Sequence, residues 1–158
     1  MNGTTLGGQS DNGTHGVVFE WSSEAYYQQQ LKAEKRDVRG YEFLSFRAAQ
    51  ATRHPNTTYQ LGDLTFTVRL RDGDGNTSFI NVGAYGGGIE EPYQRTGDGS
   101  GVGWHNEFET IRLRLSDFQN NGQPLDLSDI TNIRFLFGSS WGSSKGRLNL
   151  DTIEFTKD

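Results

Sequence analysis

The sequence predicts an all-β fold, an antiparallel β-sandwich of the jelly-roll type, and three observations support this prediction. Apolar residues alternate with polar ones through nearly every ordered segment, which indicates strands with one covered face. Twenty-one glycines and three prolines in 158 residues suit a fold with many tight turns. Aromatic residues form 12% of the chain, and aromatic side chains are enriched in strands. Two such sheets packed face to face make a sandwich.

The alternating segments follow one another along the chain. "GVVFEWSS" is the first, then come "YEFLSFRAAQ", "LTFTVRLRD" and "SFINVGAY", and "DGDGNT" closes a hairpin between the last two. "ETIRLRLSDF", "LDLSDITNIRFLFG" and "GRLNLDTIEF" complete the set. The residues predicted to face the core are Val17, Phe19, Trp21, Leu44, Phe46, Ala48, Phe66, Val68, Leu70, Ile80, Val82, Ala84, Ile111, Leu113, Leu115, Ile133, Phe135 and Phe137.

Two segments do not follow the alternation. "SEAYYQQQLKAEK", residues 23–35, contains several helix formers, so we expect a loop with one or two helical turns. In the last segment, Leu148 and Leu150 alternate correctly, but Ile153 follows after three steps instead of two. A strand that keeps one face inward must absorb the extra residue as a bulge. Asp151 lies at the predicted bulge.

Length, charge and composition limit the possible functions. A chain of 158 residues is long enough for one domain with a normal core. The sequence has no cysteine, which excludes disulfides and thiolate metal sites. The net charge of −5 disfavours a nucleic-acid partner, because phosphate binding relies on a basic surface. No apolar run approaches the roughly 18 residues of a membrane span, so we expect no membrane partner.

The polar start of the chain predicts its domain organisation. Residues 1–15 are rich in glycine, asparagine and threonine and are predicted to be a flexible linker or leader. Residues 16–158 are predicted to form the single sandwich. A module taken from a longer secreted protein would begin in this way, so we expect an extracellular, monomeric module.

Several motifs together resemble a known family. "VFEWSS", "GYEFLSFRA", "FETIRLRLSDF", "LSDITNIRFLF" and "GRLNLDTIEF" occur in an order similar to that of non-catalytic carbohydrate-binding modules with the galactose-binding-like jelly roll. The resemblance covers most of residues 17–156. It implies a module that performs no chemistry and holds a secreted enzyme on its polysaccharide.

The resemblance also implies a structural calcium ion between the first and last strands. Glu20 and Asp151 would be its side-chain ligands. Calcium takes six to eight oxygen ligands, and a bulged strand turns carbonyls and a carboxylate toward one point. The alternative is that Asp151 hydrogen-bonds its own neighbouring amides and ends the strand pairing.

A glycine-rich segment and a tryptophan turn are the predicted carbohydrate site. "GAYGGGIEEPYQRTGDGSGVGWHNEF" combines aromatic rings with polar side chains, and "GSSWGSSKG" places a tryptophan in a turn. Sugar recognition needs exposed rings beside directional hydrogen-bonding groups. The predicted ligand-binding residues are Tyr85, Tyr93, Arg95, Trp104, Asn106 and Trp141. The alternative is that Trp104 and Tyr93 pin a long loop to the edge of the sandwich.

A second candidate surface consists of arginines that alternation directs away from the core. If their strands are neighbours, these arginines could grip the carboxylates or sulfates of an acidic polysaccharide. The favoured interpretation is a solvated face paired with acids such as Glu42 or Glu109. The outward arginines are Arg69, Arg71, Arg112, Arg114 and Arg134.

No motif predicts catalysis. "GSSWG" places Ser140 in a Gly-x-Ser-x-Gly pattern, but a strand follows instead of the helix that a nucleophile elbow requires. Glu107 and Glu109 share a strand face about 7 Å apart, a spacing that glycosidases use, but no further acid organises them. The competing function is an accessory or interaction domain of an extracellular protease or surface protein. A sugar module should expose at least two aromatic rings in one groove, whereas a scaffold should bury them.

Overall fold

The structure is a computed structural model that describes residues 16–51, 61–94 and 104–158. The predicted linker, residues 1–15, and the predicted ligand Arg95 lie outside the described residues. Among the described residues, no helix has the length and apolar character needed to span a membrane.

Within the described ranges, ten strands form two four-stranded antiparallel sheets and one short ribbon. In chain order they are β1 (Val17–Trp21), β2 (Ala25–Gln30), β3 (Phe43–Gln50), β4 (Thr67–Asp72), β5 (Thr77–Asn81), β6 (Tyr93–Gln94), β7 (Trp104–His105), β8 (Glu109–Arg114), β9 (Ile130–Phe137) and β10 (Gly146–Thr156). The first sheet has the order β1-β10-β3-β8 and the second has the order β2-β9-β4-β5. Strands β6 and β7 pair with each other. The predicted all-β sandwich is confirmed.

The core lies between the two four-stranded sheets, and alternation places most of it as predicted. Large aromatic rings fill its centre, with Phe46 lying edge-on to Phe135 at 5.2 Å between ring centroids. Phe66 packs against Phe135 and Phe137. Such ring pairs add roughly 0.5–1.5 kcal/mol each beyond the burial of their surface. Trp21 is buried, so one of the three tryptophans belongs to the core.

The prediction for residues 23–35 is wrong in its main part. Ala25–Gln30 form strand β2 at the edge of the second sheet, and the helical part is one 3₁₀ turn at Ala33–Lys35. Tyr27 explains the strand, because its ring packs on Phe19 at 4.8 Å and also contacts Phe135. Pairing with β9 therefore outweighs the weak local preference of a glutamine-rich segment.

Two further departures occur where strands end. Ala84 was predicted to face the core but is exposed, because the chain turns into a 3₁₀ helix at Val82–Tyr85. Leu115 is buried as predicted, but it begins α1 (Leu115–Asn120) rather than continuing β8. In both places a helical turn replaces the period-two alternation that the sequence pattern assumes.

The predicted bulge in β10 is confirmed. Asp151 pairs with Arg47 and Glu154 pairs with Ser45, so three steps on β10 face two steps on β3. Thr152 has a φ of 48°, the positive value that the extra residue imposes. The bulge lets the apolar side chains on both sides of it pack toward the core.

Candidate functional site

The glycine-rich segment is only partly within the described structure. Tyr93 is 40% exposed, and its hydroxyl donates a hydrogen bond to Glu107 at 2.5 Å. Asn106 is exposed. Trp104 lies in β7, opposite Gln94, but its side chain is outside the described part of the structure, as is Arg95. Among the side chains that the structure describes here, Tyr93 of the ribbon presents an exposed ring, and Asn106, just after β7, presents an exposed amide.

Tyr85 has a different position from the other predicted ligand residues. Its ring is half-buried and packs against the core, and its hydroxyl donates to Asp117 in α1. Burial raises the pKa of Tyr85, and the neighbouring Asp117 raises it further. The ring joins the 3₁₀ helix to α1, so it does not form an open platform for a ligand.

Trp141 lies against the second sheet, beside Phe79, which was not among the predicted ligand residues. Its ring is half-buried and stacks on Phe79 of β5 with 5.7 Å between centroids and 10° between planes. The described contacts thus place Trp141 on Phe79 and Tyr93 beside Glu107, on different elements. Of the predicted residues whose side chains are described, Tyr85, Tyr93 and Trp141 therefore contact different parts of the fold.

The surface around Trp141 is the outward side of the second sheet. The register of its four strands aligns three rows of outward positions, and we call these twelve residues the arginine face. Each row is given in the strand order β2, β9, β4, β5. The first row is Tyr26, Leu136, Thr67 and Asn81, the second is Gln28, Arg134, Arg69 and Phe79, and the third is Gln30, Asn132, Arg71 and Thr77. At about 4.8 Å between strands, the face is roughly 14 Å wide from β2 to β5.

Hydrogen bonds hold the Trp141 turn against this face. The Trp141 carbonyl accepts from the hydroxyl of Thr67 at 2.7 Å and from Asn81 Nδ2 at 2.8 Å. Ser143 N donates to the Thr65 carbonyl at 2.9 Å. Gly142 has a φ of 150°, and a Cβ there would collide with the Thr65 carbonyl oxygen. The position of the Trp141 ring is therefore fixed by the backbone of its turn.

The opposite edge of the arginine face carries a second aromatic contact. Tyr26 is 49% exposed, and the guanidinium of Arg134 lies over its ring at 4.1 Å from the centroid. Arg134 also donates from Nε and Nη2 to Gln28 Oε1, at 2.9 and 2.5 Å. A ring and an arginine held in this way form a rigid, partly open surface.

Arg69 occupies the middle of the face. Its Nη2 donates to Asn132 Oδ1 at 3.1 Å, and its buried Nε has no hydrogen-bond partner within the described residues. Burial lowers the pKa of Arg69, and the charges of Arg134 and Arg71 lower it further. The three cations therefore raise the local positive potential.

The five outward arginines divide between the two sheets. Arg112 and Arg114 lie on β8 of the first sheet, whereas the other three lie on β4 and β9, which are adjacent. The expected pairing with Glu42 or Glu109 does not occur in the described ranges. The carboxylate of Glu109 instead accepts from the Glu90 amide at 2.7 Å, and burial raises its pKa.

The register places Glu20 and Asp151, the two predicted calcium ligands, several positions apart along the first sheet. Glu20 pairs with Arg147, four residues before Asp151 on β10. Four residues of strand span about 13 Å, whereas two oxygens on one calcium lie within about 5 Å of each other. Asp151 accepts a hydrogen bond from the Thr152 amide at 2.7 Å, as the alternative interpretation predicts. Calcium binding itself stays a prediction of the family resemblance.

Groups that could perform catalysis have other partners. Glu107 accepts from Tyr93 and Glu109 accepts from a backbone amide. Ser140 lies in the turn between β9 and β10 and donates its backbone amide to Glu24 at 3.0 Å. In the described part of the chain, no three acidic or histidine side chains are placed to hold a metal.

Sequence reasoning missed two rings of the arginine face. The outward position of Phe79 follows from the buried residues on either side of it, so alternation could have identified it. Tyr26 was missed because its strand was predicted to be a loop. Trp141 was identified, but its stacking partner was not.

Comparison with known proteins gives a fold relationship. The chain is similar to the crystal structure of a carbohydrate-binding module of family 28 that is specific for non-crystalline cellulose. The TM-score is 0.53 with 9% sequence identity, over 95% of this chain and 80% of that chain. No protein-family model matches, and no curated protein matches at a significant level. The chain therefore has the β-sandwich fold of a carbohydrate-binding module, as the sequence motifs predicted.

Proposed function

We propose that the protein is a non-catalytic carbohydrate-binding module and that its arginine face binds the polysaccharide. One observation carries the proposal: the Phe79–Trp141 pair lies on an open sheet face next to arginine and amide side chains. The similarity to a carbohydrate-binding module in fold supports it, although fold alone does not determine function.

The chemistry of the face suits a sugar chain. Sugars present apolar C–H faces that pack on aromatic rings, and hydroxyl groups that need donors and acceptors. Phe79 and Trp141 provide the rings at one edge, and Tyr26 provides another at the opposite edge. On the strand of Tyr26, the exposed amide of Gln28 adds to the guanidinium donors.

The proposed biological role is to hold a secreted enzyme on its substrate. A tethered module raises the local concentration of the catalytic domain at the polymer surface. Because few groups are buried on an open face, we expect dissociation constants of roughly micromolar to millimolar order. The proposal includes no chemical step, and it does not depend on calcium.

The second candidate is an interaction domain of an extracellular protein with the same fold. Two observations bear on the choice. Trp21 is buried, as a scaffold requires, but Phe79 and Trp141 are only half-buried and are stacked on the outside of the sheet. Stacked rings on an outer face favour the carbohydrate function.

Affinity electrophoresis against a panel of plant, algal and microbial polysaccharides tests the proposal. We expect at least one polymer to retard the wild-type protein, and Phe79→Ala to reduce the affinity at least tenfold. Tyr41→Ala is the control, because Tyr41 is an exposed ring that contacts another aromatic ring, Phe155 of the first sheet, away from this face. Retardation by no polymer would favour the interaction domain, and equal losses in both variants would place the site elsewhere.

A further inference from the structure

We propose that the arginine face selects acidic polysaccharides and binds their carboxylate or sulfate oxyanions. This inference rests on the proposed function and names its substrate class. It concerns Arg69, Arg71 and Arg134, which lie side by side on two adjacent strands.

The face has positive charges and no negative ones. The strand register places Arg69 of β4 directly opposite Arg134 of β9. Arg71 lies two positions after Arg69 on β4. None of the twelve residues of the arginine face is acidic. The chain as a whole carries a net charge of −5, so the positive charge of this face is a local feature and not a consequence of composition.

Other arginines of the protein form ion pairs with acidic side chains. Arg39 binds Asp37 at 2.6 Å and Arg36 binds Asp129 at 3.4 Å. The hydrogen bonds from Arg39 lower the pKa of Asp37 to about 2. Across the described ranges, no ion pair involves an arginine of the arginine face.

The partners of these arginines are neutral, so their charges remain available to an anion. Arg134 donates to the amide oxygen of Gln28, and Arg69 donates to that of Asn132. Both contacts orient a guanidinium without neutralising it. Arg71 is exposed at the hairpin end of β4. Guanidinium groups held in fixed orientations match the planar, two-oxygen geometry of carboxylates and sulfates.

The arrangement of rings and charges fits a polymer of charged sugars. Aromatic side chains lie at the two edges of the face, with Tyr26 on β2 and Phe79 on β5. The opposed Arg69 and Arg134 lie on the two strands between them. A chain crossing the face would stack sugar rings on the edges and direct its oxyanions toward the centre. A neutral polysaccharide would leave the three guanidinium groups without a counter-charge.

Calorimetric titration with a matched pair of ligands tests the inference. The first ligand is a polyuronate oligomer, and the second is the same oligomer with its carboxylates chemically reduced to alcohols. We expect the charged form to bind at least tenfold more tightly, with an advantage that shrinks at high ionic strength. A sulfated galactan oligomer and its desulfated form make a second pair, which distinguishes sulfate from carboxylate as the source of the oxyanion.

Two variants locate the effect. Arg134→Gln should remove most of the preference for the charged oligomer, and Arg71→Gln should reduce it without disturbing the packed part of the sheet. Arg112→Gln is the matched control, because Arg112 is exposed and points outward from the first sheet. Equal loss in Arg112→Gln would overturn the assignment to this face.

The outcomes separate the inference from the proposed function. A preference for either charged form over its neutral partner supports both. Binding of neutral oligomers with no preference for charge overturns the inference and leaves the carbohydrate function intact. Binding of no oligomer, charged or neutral, contradicts both.

Discussion

At the scale of single residues, the contacts of Trp141 are the most informative about the proposed binding surface. Its carbonyl is fixed by Thr67 and Asn81, so its ring is held against Phe79 instead of moving freely in a turn. A ring that is already in place loses little conformational entropy when a ligand stacks on it. Gly142, the next residue, makes this placement possible.

Gly142→Ala should destabilise the protein and weaken polysaccharide binding together. The added Cβ would collide with the Thr65 carbonyl, at a φ of 150° that side chains disfavour. We expect a loss of about 1–3 kcal/mol in the free energy of unfolding, measured by urea denaturation. Gly40→Ala is the control, because no atom lies within 4 Å of its added Cβ. Equal stability of the two variants would contradict this account of the turn.

The sequence predicted the direction of many side chains but not which of them meet. Alternation correctly directed Arg69, Arg71 and Arg134 outward. It did not show that these three share one sheet while Arg112 and Arg114 lie on the other, because strand order depends on long-range pairing. The stacking of Trp141 on Phe79 depends on how the turn folds back over the sheet, and no local pattern encodes that.

At the scale of elements, the hairpin between β4 and β5 supports the arginine face. Asp72 is 1% exposed, and its carboxylate accepts from the Asn76 amide at 2.8 Å, from Asn76 Nδ2 at 3.0 Å and from the Asp126 amide at 3.0 Å. Burial alone would raise the pKa of Asp72, but these hydrogen bonds outweigh it and the pKa is lowered. Asp72 thus joins the hairpin to the segment that leads into β9.

Asp72→Asn should therefore have a pH-dependent effect on stability. A carboxyl group whose folded pKa lies below its unfolded value stabilises the protein above about pH 4, and this contribution is lost as the pH falls through the folded pKa. We expect the variant to lose about 1–3 kcal/mol at pH 7, and the difference from wild type to shrink below pH 4. Unfolding curves at pH 7 and pH 3 measure it.

Asp74→Asn is the matched control, since Asp74 is exposed in the same turn. We expect this variant to unfold like the wild type at both pH values. A loss in Asp72→Asn of equal size at pH 7 and pH 3 would show that the carboxylate charge has no part in holding the hairpin.

The elements also show where pattern reading fails. Strand β2 consists largely of tyrosine and glutamine, which give no clear alternation of apolar and polar residues. Its strand conformation comes from pairing with β9 and from the packing of Tyr27 on Phe19. The bulge in β10 was predictable because the phase of its apolar residues changes within one strand, and that change is visible locally.

At the scale of the whole molecule, the fold class followed from the sequence, whereas the proposed binding face did not. Alternation and turn composition specify two covered sheets, because each strand must bury one face. The face that we propose for binding is assembled from strands far apart in the chain, namely β2, β4, β5 and β9. The glycine-rich segment can be recognised from its composition. The residues of the arginine face have an ordinary composition, and only the strand register shows that they lie together.

Calcium is a whole-molecule prediction, because a structural metal changes global stability. The family resemblance predicts that excess chelator lowers the melting temperature and that added calcium restores it. Differential scanning calorimetry with and without chelator measures this. Superimposable curves would contradict the prediction, and the separation of Glu20 from Asp151 along β10 would then be its physical explanation.

The central claim is that the arginine face is the binding surface. Two-dimensional NMR during titration with oligosaccharides of the polymer that binds best tests it most directly. We predict the largest shifts for the Trp141 indole and for the amides of Arg69, Phe79 and Arg134. Shifts confined to residues 93–106, with the arginine face unchanged, would contradict the claim.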